Sequence, residues 1–444
     1  MSQSAYEDKL SPILQVSQFQ KFENKRKNAK NPIIKEEERI INILKELKAG
    51  NKISEELYNE LKPTGSQPPR LYGLAIVHKD GCPMRPVVSM PGSPYHRIAK
   101  QVAKWLSFVP ECKINCSTRE ICTKLKNHKP NNDECLVSFD IKSLYTNVPV
   151  HEAINVCADL LFTNRQLNID KETFITLAKL SSCDIIFNSH DGFYTQVDGL
   201  AMGSAPAPHI ANGWLSTFDN TIKDNSPLYY RYMDDIICII KRDGIDTKLC
   251  EINNIHPSLS FTVEVEKDGR LPFLDMVLVN NNGHLSSGWY RKPTDTGLTL
   301  NFHSLAPLKY KRSVVIGFVY RIFNSCSTWQ LFHEGLEEAK IILMKNQYPL
   351  DFIEKIFNVT LMKILSSDQN DESDNDSNDQ SFSDSEISMD YDTLMCRQIL
   401  DKEKYIFVFI NYRGKVTDKF VQSLNKLYAP CKFILTLKKT KNLI

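Results

Sequence analysis

The stretch Tyr229-Tyr230-Arg231-Tyr232-Met233-Asp234-Asp235-Ile236-Ile237-Cys238-Ile239 sets two adjacent carboxylates between two β-rich apolar runs. Leu228–Tyr232 and Ile236–Ile240 read as strands, so the chain must reverse at the aspartates. No Gly or Asn eases that turn, although tight hairpin turns ask for positive φ. The two carboxylates also repel each other, and a bound divalent cation is the usual compensation. An Asp-Asp pair in a surface turn is ordinarily solvated and nothing more, so the surroundings decide. Upstream, Leu136-Val137-Ser138-Phe139-Asp140 ends a further apolar strand in a carboxylate. Phosphoryl transfer at a nucleic-acid 3′ end uses two Mg²⁺ ions about 3.5–4 Å apart. Mg²⁺ takes a few hard carboxylates and keeps its other positions for water and phosphate. Asp140, Asp234 and Asp235 at the ends of neighbouring strands would supply that arrangement.

The charge balance points the same way. The 444 residues carry 55 Lys/Arg against 53 Asp/Glu, a net +2 that conceals a segregation. Residues 366–392 hold ten Asp/Glu and no Lys or Arg, leaving +12 for the rest of the chain. Such an excess suits a polyanionic partner, though basic residues also simply solvate surfaces. At 42% hydrophobic and 24% charged residues, the composition is that of a globular chain rather than a fibre. No apolar run reaches the ~18 residues of a membrane span, and the polar start MSQSAYEDKL is unlike a signal peptide. The twelve cysteines are scattered singly. Cys112, Cys116 and Cys122 come nearest to a cluster but lack a second ligand pair at zinc spacing. Reduced thiols in an intracellular compartment are expected.

Along the chain, residues 1–32 read as a basic flexible arm and 33–69 as a helical segment. Within that segment Ile33 to Lys48 forms one helix stopped by Gly50, and Ser54–Leu61 a second. Residues 70–300 mix strands (Cys135–Phe139, Ile185–Phe187, Phe193–Val197, Phe261–Val265, Phe273–Val279) with helices at 95–107, 150–162, 171–180 and 205–222. Ser189-His190-Asp191-Gly192 signals a hairpin. Residues 301–365 are helical, with breaks near Ser325–Thr328 and Tyr348-Pro349. Residues 366–392 are too polar to order themselves. They would serve as a spacer, a nucleic-acid mimic or a phosphorylation target. Residues 393–444 carry 11 Lys/Arg against 3 Asp/Glu and read as a small basic module of strand 404–410, helix 416–428 and strand 431–437.

Six blocks in order resemble the reverse transcriptases of Penelope-like retroelements, relatives of telomerase. They are RLYGLAIVHKDGCPMRPVVSMPGSPYHRIAK (70–100), VSFDIKSLYTNVPV (137–150), GLAMGSAPAPHIAN (199–212), YYRYMDDIICI (229–239), LSFTVEVEKDGRLPFLDMVL (259–278) and WYRKPTDTGLTLNFHSLAP (289–307). The resemblance covers roughly residues 35–365 and implies an α+β right-hand polymerase: an antiparallel palm sheet with helices, fingers and a helical thumb. It implies an RNA-directed DNA polymerase of a retrotransposon, working on an RNA template, a DNA primer and deoxynucleoside triphosphates with two Mg²⁺ ions, for which Mn²⁺ substitutes. A nuclear location goes with the family.

The family's site residues carry over position by position. Asp140, Asp234 and Asp235 would hold the metal ions, with the carbonyl of Ile141 as a further ligand. Lys79 and Arg85, six apart around Asp80-Gly81, would hold the triphosphate; Arg offers a fork and Lys a point charge. Tyr145 resembles the steric gate that excludes a ribose 2′-OH. Gly199, Gly203 and Ser204 would let backbone approach the substrate closely, and Met202 would pack under the base or template. Tyr290, Arg291 and Lys292 resemble the primer grip. Lys267 is a candidate proton donor to pyrophosphate, or a plain hairpin turn with Asp268-Gly269. Phe273-Leu274-Asp275 reads as a strand with one inward polar residue.

Two departures stand out. Ala75-Ile76 replaces the family's usual Pro-Lys before Val-His-Lys, and no segment resembles the GIY-YIG endonuclease that many Penelope-like proteins carry. Target cleavage is therefore not expected. A rival expectation follows from the same departures: a nucleic-acid-binding relic of a decayed element that no longer polymerises.

Overall fold

Alternation along Cys135-Leu136-Val137-Ser138-Phe139-Asp140-Ile141 decides how the central sheet is used. Successive side chains of a strand face opposite ways. Cys135, Val137, Phe139 and Ile141 enter one buried core, together with Ile236 and Cys238. Leu136, Ile237 and Ile239 enter a second core on the other face. In this computed structural model the sheet is antiparallel, in the order Tyr229–Tyr232, Asp235–Lys241, Glu134–Ile141, Phe261–Val265. The structure describes residues 2–15, 18–22, 31–76, 81–112, 117–125, 128–224, 226–281, 283–367, 405–411 and 432–438. The chain divides into two units, Met1–Thr296 with Arg321–Gly335, and Gly297–Tyr320 with Leu336–Ile444.

In the first unit, helices His96–Leu106, Val150–Asn164, Lys171–Ser182 and Ala207–Ser216 pack on one face of the sheet. Ile98, Val102, Ile154, Leu161, Phe174 and Trp214 are fully buried there. The second core is closed by the helix Thr118–Leu125 and a three-stranded sheet, Arg270–Phe273, Met276–Asn281 and His284–Trp289. A separate five-stranded sheet runs in the order Phe19–Lys21, Gly192–Gln196, Ile185–Ser189, Arg70–Ala75, Met84–Ser89. The architecture is α+β. Among the described residues, no helix is long and apolar enough to cross a membrane.

Several elements depart from the sequence reading. The segment read as a flexible arm contains the helix Gln3–Leu14 and the strand Phe19–Lys21. Leu10 and Leu14 are buried, the Tyr6 hydroxyl accepts a 2.6 Å hydrogen bond from the Gly73 N–H, and Phe19 meets Phe187 edge-on. That apolar face (Tyr6, Leu10, Ile13, Leu14) has helical spacing. The run read as one strand, Phe273–Val279, instead turns at Leu274-Asp275, with Leu274 at φ +55°. Asp275 is therefore exposed at a turn, paired with Arg321 at 3.3 Å, and not an inward strand residue. The helix read over 205–222 breaks into Ala207–Ser216 and Asp219–Lys223.

The second unit is helical where described, apart from its last strands. The helices Leu308–Ser325 and Trp329–Lys345 are shared between the two units, and Leu350–Ser367 lies wholly in the second. Asn346, nearly buried, ties its loop down: its amide donates to Gly297 O at 2.7 Å and accepts from Thr299 N–H at 3.0 Å. Phe302 packs on Tyr348 and Phe352 at 5.3 and 5.2 Å. Strands Tyr405–Asn411 and Lys432–Lys438 pair in parallel. The acidic stretch 368–392 and the helix read over 416–428 lie outside the described residues.

Candidate active site

The register of the central sheet gathers the aspartates. Tyr232 pairs with Asp235, which leaves Met233-Asp234 as a two-residue turn. Such turns need φ > 0, normally supplied by Gly or Asn. Here Met233 takes it, at φ +57°, with its side chain buried. A non-glycine residue held there costs of order 1–3 kcal/mol and persists only where its surroundings impose it. On the next strand Asp140 lies directly opposite Asp235. Residues so paired have Cβ atoms about 4.5–5.5 Å apart. The Ile141 N–H donates to the Asp234 carbonyl at 3.2 Å, which fixes the turn against the neighbouring strand.

The electrostatics follow from this crowding. Burial, then the charges of Asp234 and Asp140, push the Asp235 carboxyl up to about 6, with Lys292 pulling the other way. Burial raises the Asp234 carboxyl too, opposed by Arg85. Arg85 and Lys292, remote in sequence, thus act on adjacent carboxylates, Arg85 on Asp234 and Lys292 on Asp235. Among the described residues, no three Asp, Glu, His or Cys side chains converge into a ready metal-holding group. Two carboxylates face each other and the third flanks them. That donor set fits a hard cation that completes its shell with water and phosphate, rather than one caged by protein. Cys112 and Cys122 are buried in different cores, so no zinc site joins them.

Tyr145 sits in the one-turn helix Leu144–Asn147, entered through Ser143 at φ +52°. Burial and the charge of Asp234 push its phenol up to about 12, so the ring is neutral and lies within the field of the site. Its carbonyl accepts from Leu200 N–H at 2.6 Å. The segment that follows is pinned from both sides. A Cβ on Gly199 (φ +76°) would stand 2.7 Å from Thr146 O. One on Gly203 (φ +108°) would stand 2.4 Å from Val88 O, and Val88 N–H donates to Met202 O at 2.7 Å. The close approach read at Gly199 and Gly203 is thus to protein backbone, while Met202 is half-buried and Gly203 exposed. Arg85 is exposed on the adjoining strand Met84–Ser89. Lys79 lies outside the described residues.

Tyr290, Arg291 and Lys292 leave the strand His284–Trp289 beside a cavity of about 250 Å³, lined also by Asp275, Asp295 and Arg321. Arg291 is held by Asp295 at 3.0 Å, whereas Lys292 acts on Asp235. Lys267 belongs to a hairpin turn with Arg270. Its strand runs antiparallel from Ile141↔Phe261 to Val137↔Val265. At about 3.3 Å per residue, that places Lys267 roughly 16 Å along the sheet from Asp140.

One feature escaped the sequence reading. Arg231 is 2% exposed, on the helical face of the sheet behind the aspartates. It makes a two-pronged pair with Asp219 (2.7 and 2.8 Å) and also reaches Asn212 and the Met233 carbonyl. A cation two residues before the turn, in an otherwise apolar-aromatic strand, is the signal that could have found it: a buried guanidinium has to be partnered.

Residues 77–267 match the family described as Reverse transcriptase (RNA-dependent DNA polymerase), and residues 298–358 match Animal helix-turn-helix domain. The segment 77–267 thus has the sequence pattern of a reverse transcriptase domain. No curated protein matches the chain. Among solved structures, telomerase from Candida albicans in complex with a fragment of telomeric RNA is similar at 11% identity and TM-score 0.44, covering 75% of this chain and 65% of that one. Apo telomerase from Candida tropicalis is similar at 11% identity and TM-score 0.40, over 74% and 70%. A Sicinivirus RNA-dependent RNA polymerase follows at 10% identity and TM-score 0.42, over 69% and 71%. The chain thus spans less than two thirds of the Candida albicans telomerase chain, and none of the three TM-scores reaches 0.5.

Proposed function

We propose that this reverse transcriptase domain extends a DNA primer on an RNA template as the polymerase of a Penelope-like retrotransposon. The observation that carries the reading is the register that sets Asp140 opposite Asp235, with Asp234 in the adjoining turn. The four-stranded sheet and its helices would be the palm, the hairpin of Arg70–Ala75 and Met84–Ser89 part of the fingers, and the helices after residue 301 the thumb. The acidic segment 366–392 would be a linker to the basic C-terminal module.

Asp140, Asp234 and Asp235, with the Ile141 carbonyl, would hold two Mg²⁺ ions, or Mn²⁺ in their place. Bound there, such ions favour ionisation of the attacking hydroxyl and neutralise phosphate charge. The chain's own part is positioning and charge compensation. Arg85 and Lys79 would steady the triphosphate of the incoming deoxynucleotide, and Met202 and Gly203 would border its base. Lys292, with Tyr290 and Arg291, would meet the primer backbone. Among these, Arg291 would have to exchange Asp295 for phosphate. The protein would act inside the cell, in the nucleus.

Tyr145 would stand where a ribose 2′-OH must fit. Single-nucleotide incorporation of dTTP against rUTP opposite a template adenine measures this. Tyr145→Ala is expected to lower the preference for dTTP by about 10–100-fold, since a rigid ring rejects by steric exclusion worth a few kcal/mol. Unchanged selectivity would remove the gate. The rival reading of a non-polymerising relic rests in part on Ala75-Ile76. Ala75 continues the strand opposite Met84, and Ile76 N–H bonds Pro83 O, so the hairpin forms with these residues in place.

A further inference from the structure

We infer that Arg231 is a positioning residue for the aspartate turn, acting from the face of the sheet opposite the chemistry; this rests on the polymerase reading above. Tyr230 and Tyr232 pack toward the core on the aspartate side, which sends Tyr229 and Arg231 to the helical side. There the guanidinium is almost completely enclosed, and its donors are directed to fixed partners. Nε and Nη2 donate to the two carboxylate oxygens of Asp219, at 2.7 and 2.8 Å. Nη1 donates to the Asn212 side-chain oxygen and, at 3.4 Å, to the carbonyl of Met233.

Each partner is itself anchored. Asp219 opens the helix Asp219–Lys223 and receives the Tyr229 hydroxyl at 2.6 Å. Asn212 is fully buried in the helix Ala207–Ser216. The Met233 carbonyl in this network belongs to the left-handed turn residue immediately before Asp234. Arg231 therefore ties the strained turn to two helices. It supplies the constraint that Gly or Asn would make unnecessary. A buried Arg–Asp pair is weak evidence for stability in itself, because desolvation offsets much of the attraction. Geometry is what a planar fork with several directed donors adds, and Lys does not reproduce it.

The test compares wild type, Arg231→Lys, and Arg231→Lys combined with Met233→Gly, by hydrogen exchange and by single-nucleotide incorporation on a poly(rA)/oligo(dT) duplex. For Arg231→Lys the account expects amides around residues 232–236, and that of Ile141, to exchange about 10–100-fold faster. The far end of the hairpin, Ile239–Lys241, should stay as protected as in wild type. In incorporation, kcat should fall about 10–100-fold, with KM for dTTP within about threefold, because displaced catalytic groups cost rate rather than binding. Glycine adopts positive φ without strain, so the double variant should regain at least about fivefold in kcat over Arg231→Lys. Wild-type protection and kcat in Arg231→Lys would overturn the inference. So would loss of protection spread evenly over the sheet, or no recovery in the double variant. Exchange needs no turnover, so a wild type that binds the duplex but incorporates nothing would sink the polymerase reading while exchange still decides what Arg231 holds.

Discussion

Asp234→Asn is expected to lower primer extension by about 10³-fold or more while leaving the fold intact. Asn has the shape of Asp without its charge, and charge compensation at the reacting phosphate is the term such sites depend on most. The turn itself should survive, because Ile141 N–H bonds the main-chain carbonyl of Asp234, not its side chain. Thermal stability should be equal or higher near pH 7.5. Burial raises the Asp234 carboxyl, so its charge costs stability wherever the pH lies above its folded value. Its removal also lifts one of the repulsions that push Asp235 up to about 6. The gain should therefore shrink as the pH falls through the raised folded range of these carboxyls, about 6 for Asp235. Extension retained above about a tenth of wild type, alongside an unchanged melting curve, would take Asp234 out of the reaction.

Gly203→Ala carries the largest expected effect on stability, about 2–4 kcal/mol, read as a lowered urea midpoint at constant slope. Two costs coincide. At φ +108° any side chain is strained, and a Cβ would stand 2.4 Å from Val88 O. Relief requires the strand Met84–Ser89 to move away, stretching the 2.7 Å bond from Val88 N–H to Met202 O. Arg85 rides on that strand, so incorporation should suffer in KM for the nucleotide as well. Gly65 is the control: φ +62° and nothing within 4 Å of its Cβ position. Gly65→Ala should cost only about 1 kcal/mol, the conformational part alone. Equal losses at both positions would show that the Val88 contact is not what fixes Gly203.

The aspartates were legible because their signal is local. Each ends a run of alternating or continuous apolar residues, and antiparallel pairing of those runs brings the ends together. Tyr145, five residues past Asp140 on the same connection, lies within the field of Asp234, but its role as a gate came from the resemblance and not from its spacing. The turn at Leu274-Asp275 was not, since the chain reverses there with neither Gly nor Asn to mark it and Leu274 takes the positive φ. Gly199 and Gly203 announced a close approach but not its object; Thr146 and Val88 are more than fifty residues away in the chain. The helix Gln3–Leu14 is hard to read because its polar and charged residues outweigh one apolar face, whose Leu10 and Leu14 join the main core. Arg231 stands beside the aspartates in sequence, but what it holds is not local. Its partners Asp219 and Asn212 lie on helices whose placement against the strand is a tertiary fact.

The most direct measurement is primer extension by the wild-type chain on poly(rA)/oligo(dT), with Mg²⁺ and then Mn²⁺, next to duplex binding by the same preparation. The account predicts metal-dependent addition of thymidine residues along the RNA template, abolished by EDTA. Tight, salt-sensitive binding with no nucleotide added under either metal would contradict it and leave a nucleic-acid-binding protein in its place.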